Sequence, residues 1–144
     1  LAYASVESLI MPWCTFTEPE IAHVGMYESD AKAKGIEVDT FTFKLDEVDR
    51  AILDGEDKGF ARVHVKKGTD QLLGATIIAA HAGYMISEFS VLMKAGLGLK
   101  TITGTIHPYP TQAEVVKKVA NAWRKTTFTP RAKNILGKWF AWTR

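Results

Sequence analysis

The sequence predicts an α+β fold, an antiparallel β-sheet packed with helices. Three observations lead to it. Segments with two-residue alternation follow one another closely enough to pair as neighbours, and segments of helical periodicity are set apart from them. The 144 residues, 47% hydrophobic and 24% charged, also suit one domain around one core.

Residues 1–11 read as a lead-in from upstream domains missing from this chain, 12–125 as the domain proper and 126–144 as a basic amphipathic tail. Within the domain, Pro12 to Thr17 is aromatic and β-branched, so it reads as a short strand. Glu18-Pro19 interrupts it, and Ile21 to Gly25 resumes as a second extended piece. Glu28 to Lys34 is polar and helix-favouring, with Gly35 as its stop. Val38 to Leu45 alternates in period two and reads as a half-buried strand; Asp46 to Leu53 is an irregular or helical connector closed by Asp54-Gly55.

The clearest hairpin follows. Phe60 to Lys66 places Arg62, His64 and Lys66 on one polar face, 67–71 is a turn-rich loop, and Leu72 to Ala80 returns as a more hydrophobic strand. Met85, Ile86, Phe89, Leu92 and Met93 recur at helical spacing and end near Gly96–Gly98. Thr111-Gln112-Ala113-Glu114 is a capping-box pattern that opens a helix with the stripe Val116, Val119, Ala120 and Trp123. A last helix starts at Thr129-Pro130, with the stripe Ala132, Ile135, Leu136, Trp139 and Phe140.

Charge and cysteine usage narrow the classes. The net charge of +2 is divided unevenly: residues 1–114 hold 10 Lys/Arg against 16 Asp/Glu, and residues 115–144 hold 8 Lys/Arg and no acid. No apolar run reaches the roughly 18 residues of a membrane span. The lone Cys14 excludes an internal disulfide and a thiol cluster for zinc, so a reducing cytoplasm is the expected compartment. Cys14 itself reads as a buried structural cysteine in a hydrophobic strand. His23, His64 and His81 lack ligand spacing, and no metal site is expected. Gly96-Leu97-Gly98 ends a helix instead of following a strand, so it is no phosphate cradle, and a cofactor must be held mostly elsewhere. Nucleic acid is not an expected partner, because no recognition motif accompanies the acidic main body. The tail's Arg131, Lys133, Lys138 and Arg144 interleave with Trp139, Phe140 and Trp142, which suits a membrane surface; packing on the domain or dimer is the preferred reading.

Residues 105–114 carry the most site-like constellation. Two prolines stiffen the backbone around Tyr109, His107 projects from the same loop, and Glu114 lies one turn into the following helix. A titratable group on a rigid loop beside a helix-borne carboxylate suits acid–base work. The competing reading gives all three residues structural duties: Glu114 completing the cap, Tyr109 packing, His107 bonding a carbonyl.

Three stretches in order resemble one family. Pro12 to Gly25 resembles a "T-x-P-E-I-A-x-V-G" signature, Gly74-Ala75 through Ser87-Glu88 a "G-A-x-x-x-G … A-x-E-x-I" strand and helix start, and His107 to Glu114 a closing "H-x-H-P-T-x-x-E". Together they are similar to the C-terminal dimerisation domain of the glutathione reductase, dihydrolipoamide dehydrogenase and mercuric reductase family, the class I pyridine nucleotide–disulfide oxidoreductases. The resemblance implies an obligatory homodimer, with FAD and NAD(P)H held by the parent's other domains and none bound by this chain. It also implies that the closing loop reaches the partner subunit's flavin and redox-active disulfide. In that family the histidine before Pro-Thr is the acid–base for the thiols, oriented by the glutamate. Here Tyr109 stands at that place and His107 falls on the first histidine of the signature. Tyrosine's ordinary pKa of about 10 makes it a better proton donor than acceptor at neutral pH.

Tyr109 is thus the expected proton donor or orienting group, with Glu114 orienting it or His107. A tyrosine at this place resembles mercuric reductases, so a disulfide or a thiol-bound ion such as Hg(II) is the expected substrate of the parent, although the tail holds no cysteine pair to deliver a metal. The isolated chain is expected to have no turnover. The alternative from another class is a non-catalytic homodimerisation or interaction module.

Overall fold

The computed structural model describes residues 9–127. Five strands, β1 (Trp13–Thr15), β2 (Glu20–Gly25), β3 (Val38–Lys44), β4 (Phe60–Lys66) and β5 (Leu72–Ala79), form one sheet in the order β1-β2-β5-β4-β3, and every neighbouring pair is antiparallel. The helices are α1 (Glu28–Ala33), α2 (Asp49–Asp54), α3 (Ala82–Lys94), α4 (Leu99–Gly104) and α5 (Glu114–Thr127). An antiparallel sheet with helices is the α+β class that the alternation predicted.

Alternation decides the inner face. Ala22 and Val24 of β2, Ala61 and Val63 of β4, and Ala75 and Ile77 of β5 lie opposite one another in register and are all fully buried. Onto this face α3 packs across β2 and β5 through Met85, Ile86, Phe89 and Leu92, while α5 covers β3 and β4 through Val115, Val116, Val119 and Ala120. Each helix therefore buries most of the stripe that its periodicity marked, with Met93 and Trp123 only partly covered.

The junction of β2 and β5 depends on two glycines. Gly25 ends β2 with φ +83°, and a Cβ there would run into the Leu73 carbonyl. Its register partner Gly74 leaves no room for a Cβ against the Met26 backbone. The close approach lets the Met26 N–H donate to the Leu73 carbonyl at 2.9 Å.

Two expectations about single side chains need correction. His64 does not share the polar exposure of Arg62 and Lys66: it is buried, with Nδ1 2.8 Å from Thr40 Oγ1. Period two assigns His64 to the outer face, but it does not say that this end of the face is covered. Cys14 is half-buried, not buried, and its thiol lies 3.9 Å from Glu20 Oε2. Ile10, within the segment read as a lead-in, already packs against the core. Helix α4 has no counterpart in the sequence reading. The connector before Gly55 resolves into a 3-10 turn over Leu45–Glu47 and helix α2. The tail helix expected from Thr129 lies outside the described residues.

Candidate functional site

The loop between α4 and α5 stands beside α2 on one side and α3 on the other, and three of its side chains tie it down. Tyr109 Oη donates to Asp49 Oδ2 on α2 at 2.7 Å. His107 Nε2 lies 2.9 Å from Glu88 Oε1 on α3, and its Nδ1 is 3.2 Å from the Thr105 carbonyl. Gln112 Nε2 donates to both Asp54 Oδ2 (2.9 Å) and Glu56 Oε2 (2.6 Å). The Tyr109–Pro110 peptide is cis.

Helix α2 serves as the platform because Ala51 and Val48 anchor it in the core while Asp49 and Asp54 stay at its surface. Its polar side is internally braced: Arg50 bridges Asp54 at 2.8 Å, four residues on. The hydrogen bond from Gln112, then Arg50, holds the Asp54 carboxyl below the usual carboxylate range. Asp49 acts in the other direction on Tyr109. Its carboxylate accepts a hydrogen bond from the phenol and repels the phenolate, and that raises the tyrosine above its ordinary value, with smaller contributions from desolvation and from Glu114. Tyr109 is 68% exposed, so the ring stands out from the surface although its hydroxyl is held.

Tyr109, His107 and Glu114 thus lie in one neighbourhood, but their pairing differs from expectation. Glu114 bonds neither Tyr109 nor His107. Its Oε1 pairs with Lys118 at 3.4 Å, and its buried Oε2 has no hydrogen-bond partner. The capping box does not form either: the Thr111 hydroxyl donates to the Pro108 carbonyl, and Glu114 turns one oxygen to Lys118 and leaves the other without a partner. The residues that orient the loop, Asp49 and Glu88, were missed. They lie 60 and 19 positions away from their partners, beyond the reach of any local spacing rule.

A second feature adjoins the loop. The outward side of α3 shows Tyr84 (81% exposed) and Val91 (68%), and Leu97, past the end of the helix, lines a groove together with Val91. The groove lined by Glu88, Val91, Leu92, Leu97, Ile102 and Thr105 runs between α3 and α4 with few polar atoms. A contiguous exposed apolar patch is a mark of an interaction surface.

A dinucleotide finds no cradle among the described residues. The β5–α3 junction is Ala80-His81, without glycine, and Gly25 at the β2–α1 junction is required by contact with Leu73, not by a ligand.

Comparison with known proteins gives concordant results. Residues 11–120 match the family model of the pyridine nucleotide-disulphide oxidoreductase dimerisation domain. A mercuric reductase of Staphylococcus aureus is 36% identical over 125 residues, which is 87% of this chain and 23% of the relative. Dihydrolipoyl dehydrogenase 2 of Haloarcula marismortui is 38% identical over 121 residues, 84% of this chain and 26% of the relative. This chain therefore spans only about a quarter of the relatives' length. Among solved structures, the HOCl-induced flavoprotein disulfide reductase RclA from Escherichia coli superposes with a TM-score of 0.77 at 23% identity, covering 83% of this chain and 28% of that one. At that identity the likeness speaks for the fold.

Proposed function

The chain belongs to the pyridine nucleotide-disulphide oxidoreductase dimerisation-domain family, and on that premise we propose that it pairs with a second copy of itself through α3 and presents the Tyr109 loop to the partner subunit's redox centre. The parent is an oxidoreductase that draws electrons from NAD(P)H by way of FAD, both held by its other domains. Its substrate is a disulfide or a thiol-bound species, Hg(II) included.

The observation that carries this reading is the bond between His107 and Glu88. It joins the loop to the exposed side of α3, so a partner seated on Tyr84 and Val91 also meets the loop. Hydrophobic surface left open on a helix that already buries its other face suits a second protein surface. Tyr109 then stands at the far side of that contact, held by a rigid platform, as a group that must meet a substrate thiol needs to be. Thiolate is the reactive form of cysteine, so a fixed polar group beside the sulfur influences which form predominates. The chain has no cysteine other than Cys14, and that residue lies on β1. Redox thiols therefore come from the parent's remaining domains.

Replacing Tyr109 by Phe in the full-length flavoenzyme that contains this chain tests the reading. Turnover with NAD(P)H falls if the phenol meets the redox centre. Unchanged turnover removes the role. The isolated chain is expected to oxidise no NAD(P)H, and appreciable activity would contradict the assignment of cofactor binding to other domains.

A further inference from the structure

The proposed role places Tyr109 at a redox centre but leaves open what its hydroxyl offers there. A phenol carries one proton and has acceptor lone pairs on the same oxygen. In this structure the proton is committed: it points at Asp49 Oδ2, 2.7 Å away. Glu114, the carboxylate that the loop's own sequence suggested, makes no such bond and is engaged with Lys118. We propose that Asp49 is the positioning residue of this site, fixing the Tyr109 ring through its hydroxyl proton and leaving the phenolic oxygen outward as a hydrogen-bond acceptor for a thiol. The inference rests on the reading that the loop meets a redox centre.

The surroundings favour this assignment. Asp49 opens α2, whose Ala51 and preceding Val48 are fully buried, so its backbone is anchored although its side chain is exposed. The adjacent contact of Gln112 with Asp54 and Glu56 ties the start of α5 to the end of the same helix. The loop is thereby fastened to both ends of α2, and the ring cannot swing without breaking the bond to Asp49 or dragging α2 with it. A carboxylate partner also keeps the phenol protonated over a wider pH range, because it opposes a second negative charge next to it. A neutral tyrosine whose proton is occupied presents acceptor character only. An S–H donor is the complementary partner; a thiolate or another acceptor is not.

Two measurements test this. In the chain itself, the Tyr109 phenol can be titrated by NMR with ring-labelled tyrosine, the resonance being assigned by its loss in Tyr109→Phe. Asp49→Asn is expected to lower the titration midpoint without changing the melting temperature, since the side chain is exposed. An unchanged midpoint overturns the coupling. In the full-length enzyme, Asp49→Ala, which leaves the Tyr109 hydroxyl without its acceptor, is expected to lower kcat about tenfold with KM little changed and to move the alkaline limb of the pH profile downward, as misplacing one group costs catalysis more than binding. Asp49→Glu should restore most of both. If Tyr109→Phe impairs turnover and Asp49→Ala does not, the positioning role falls and the redox-centre reading stands. If Tyr109→Phe is itself silent, both fall.

Discussion

His107 Nε2 and Glu88 Oε1 lie 2.9 Å apart, and through that contact the proline-flanked loop and the outward face of α3 form one unit. The His107 side chain is only 9% exposed, so the pair is sheltered although the loop around it is open. Glu88 sits one turn from both Tyr84 and Val91 on the same side of α3. A surface that binds this side of the helix is therefore also within reach of Tyr109.

The first consequence concerns association. Val91 is 68% exposed and contributes nothing to the core, so Val91→Glu should fold with an unchanged melting profile. At an interface the same carboxylate has to be buried without a partner, which weakens self-association on the order of 100-fold, about 3 kcal/mol. Dilution series followed by light scattering would show it. Association unaffected by Val91→Glu would move the interface off α3.

Glu20 gives a separate prediction about stability. Its Oε2 accepts the Gly83 N–H at 2.9 Å, which satisfies a free donor in the first turn of α3 and places negative charge at the positive end of the helix. Glu20→Ala should cost about 1 kcal/mol in urea unfolding, and Glu20→Gln less, because the amide oxygen still accepts. Equal losses for both would show that charge, not the hydrogen bond, supplies the stabilisation.

The buried histidines predict a pH dependence. Burial, the largest influence on each, holds His23 and His64 below the ordinary histidine range; the Gly25 carbonyl and Asp30 partly oppose this at His23, and Glu28 at His64. Both are therefore favoured neutral in the folded chain, and the unfolded chain binds more protons as the pH falls past about 6.5. Their contribution to stability is complete above that value and declines as pH falls toward the lowered folded values. Unfolding free energy should drop between about pH 7 and pH 5. The drop should be shallower in His64→Gln, which keeps a polar group beside Thr40. A flat profile in the native sequence would contradict the buried neutral state. Asp54 is separable, since a lowered carboxylate loses its contribution only at more acidic pH.

The strands and long helices were legible because burial on one face imposes a period. Phe60 to Lys66 alternates around Ala61, Val63 and Val65, and α3 repeats Met85, Ile86, Phe89 and Leu92. Helix α4 was illegible because six residues with two threonines and a terminal glycine show neither period nor propensity. The site was half legible. Proline spacing marked the 107–114 loop, but the groups that hold it, Asp49 and Glu88, belong to other helices and are supplied only by the packing of the whole domain. The sequence-local carboxylate, Glu114, drew attention by proximity along the chain, whereas the fold turned it toward Lys118.

Sedimentation equilibrium on the native chain over a wide concentration range tests the central claim most directly. A pair of 15.9 kDa chains, with hydrogen exchange slowed at 84–91 and 106–109 as the pair forms, is the predicted result. A species that stays at the single-chain mass at the highest concentrations, with those segments exchanging freely throughout, would contradict it.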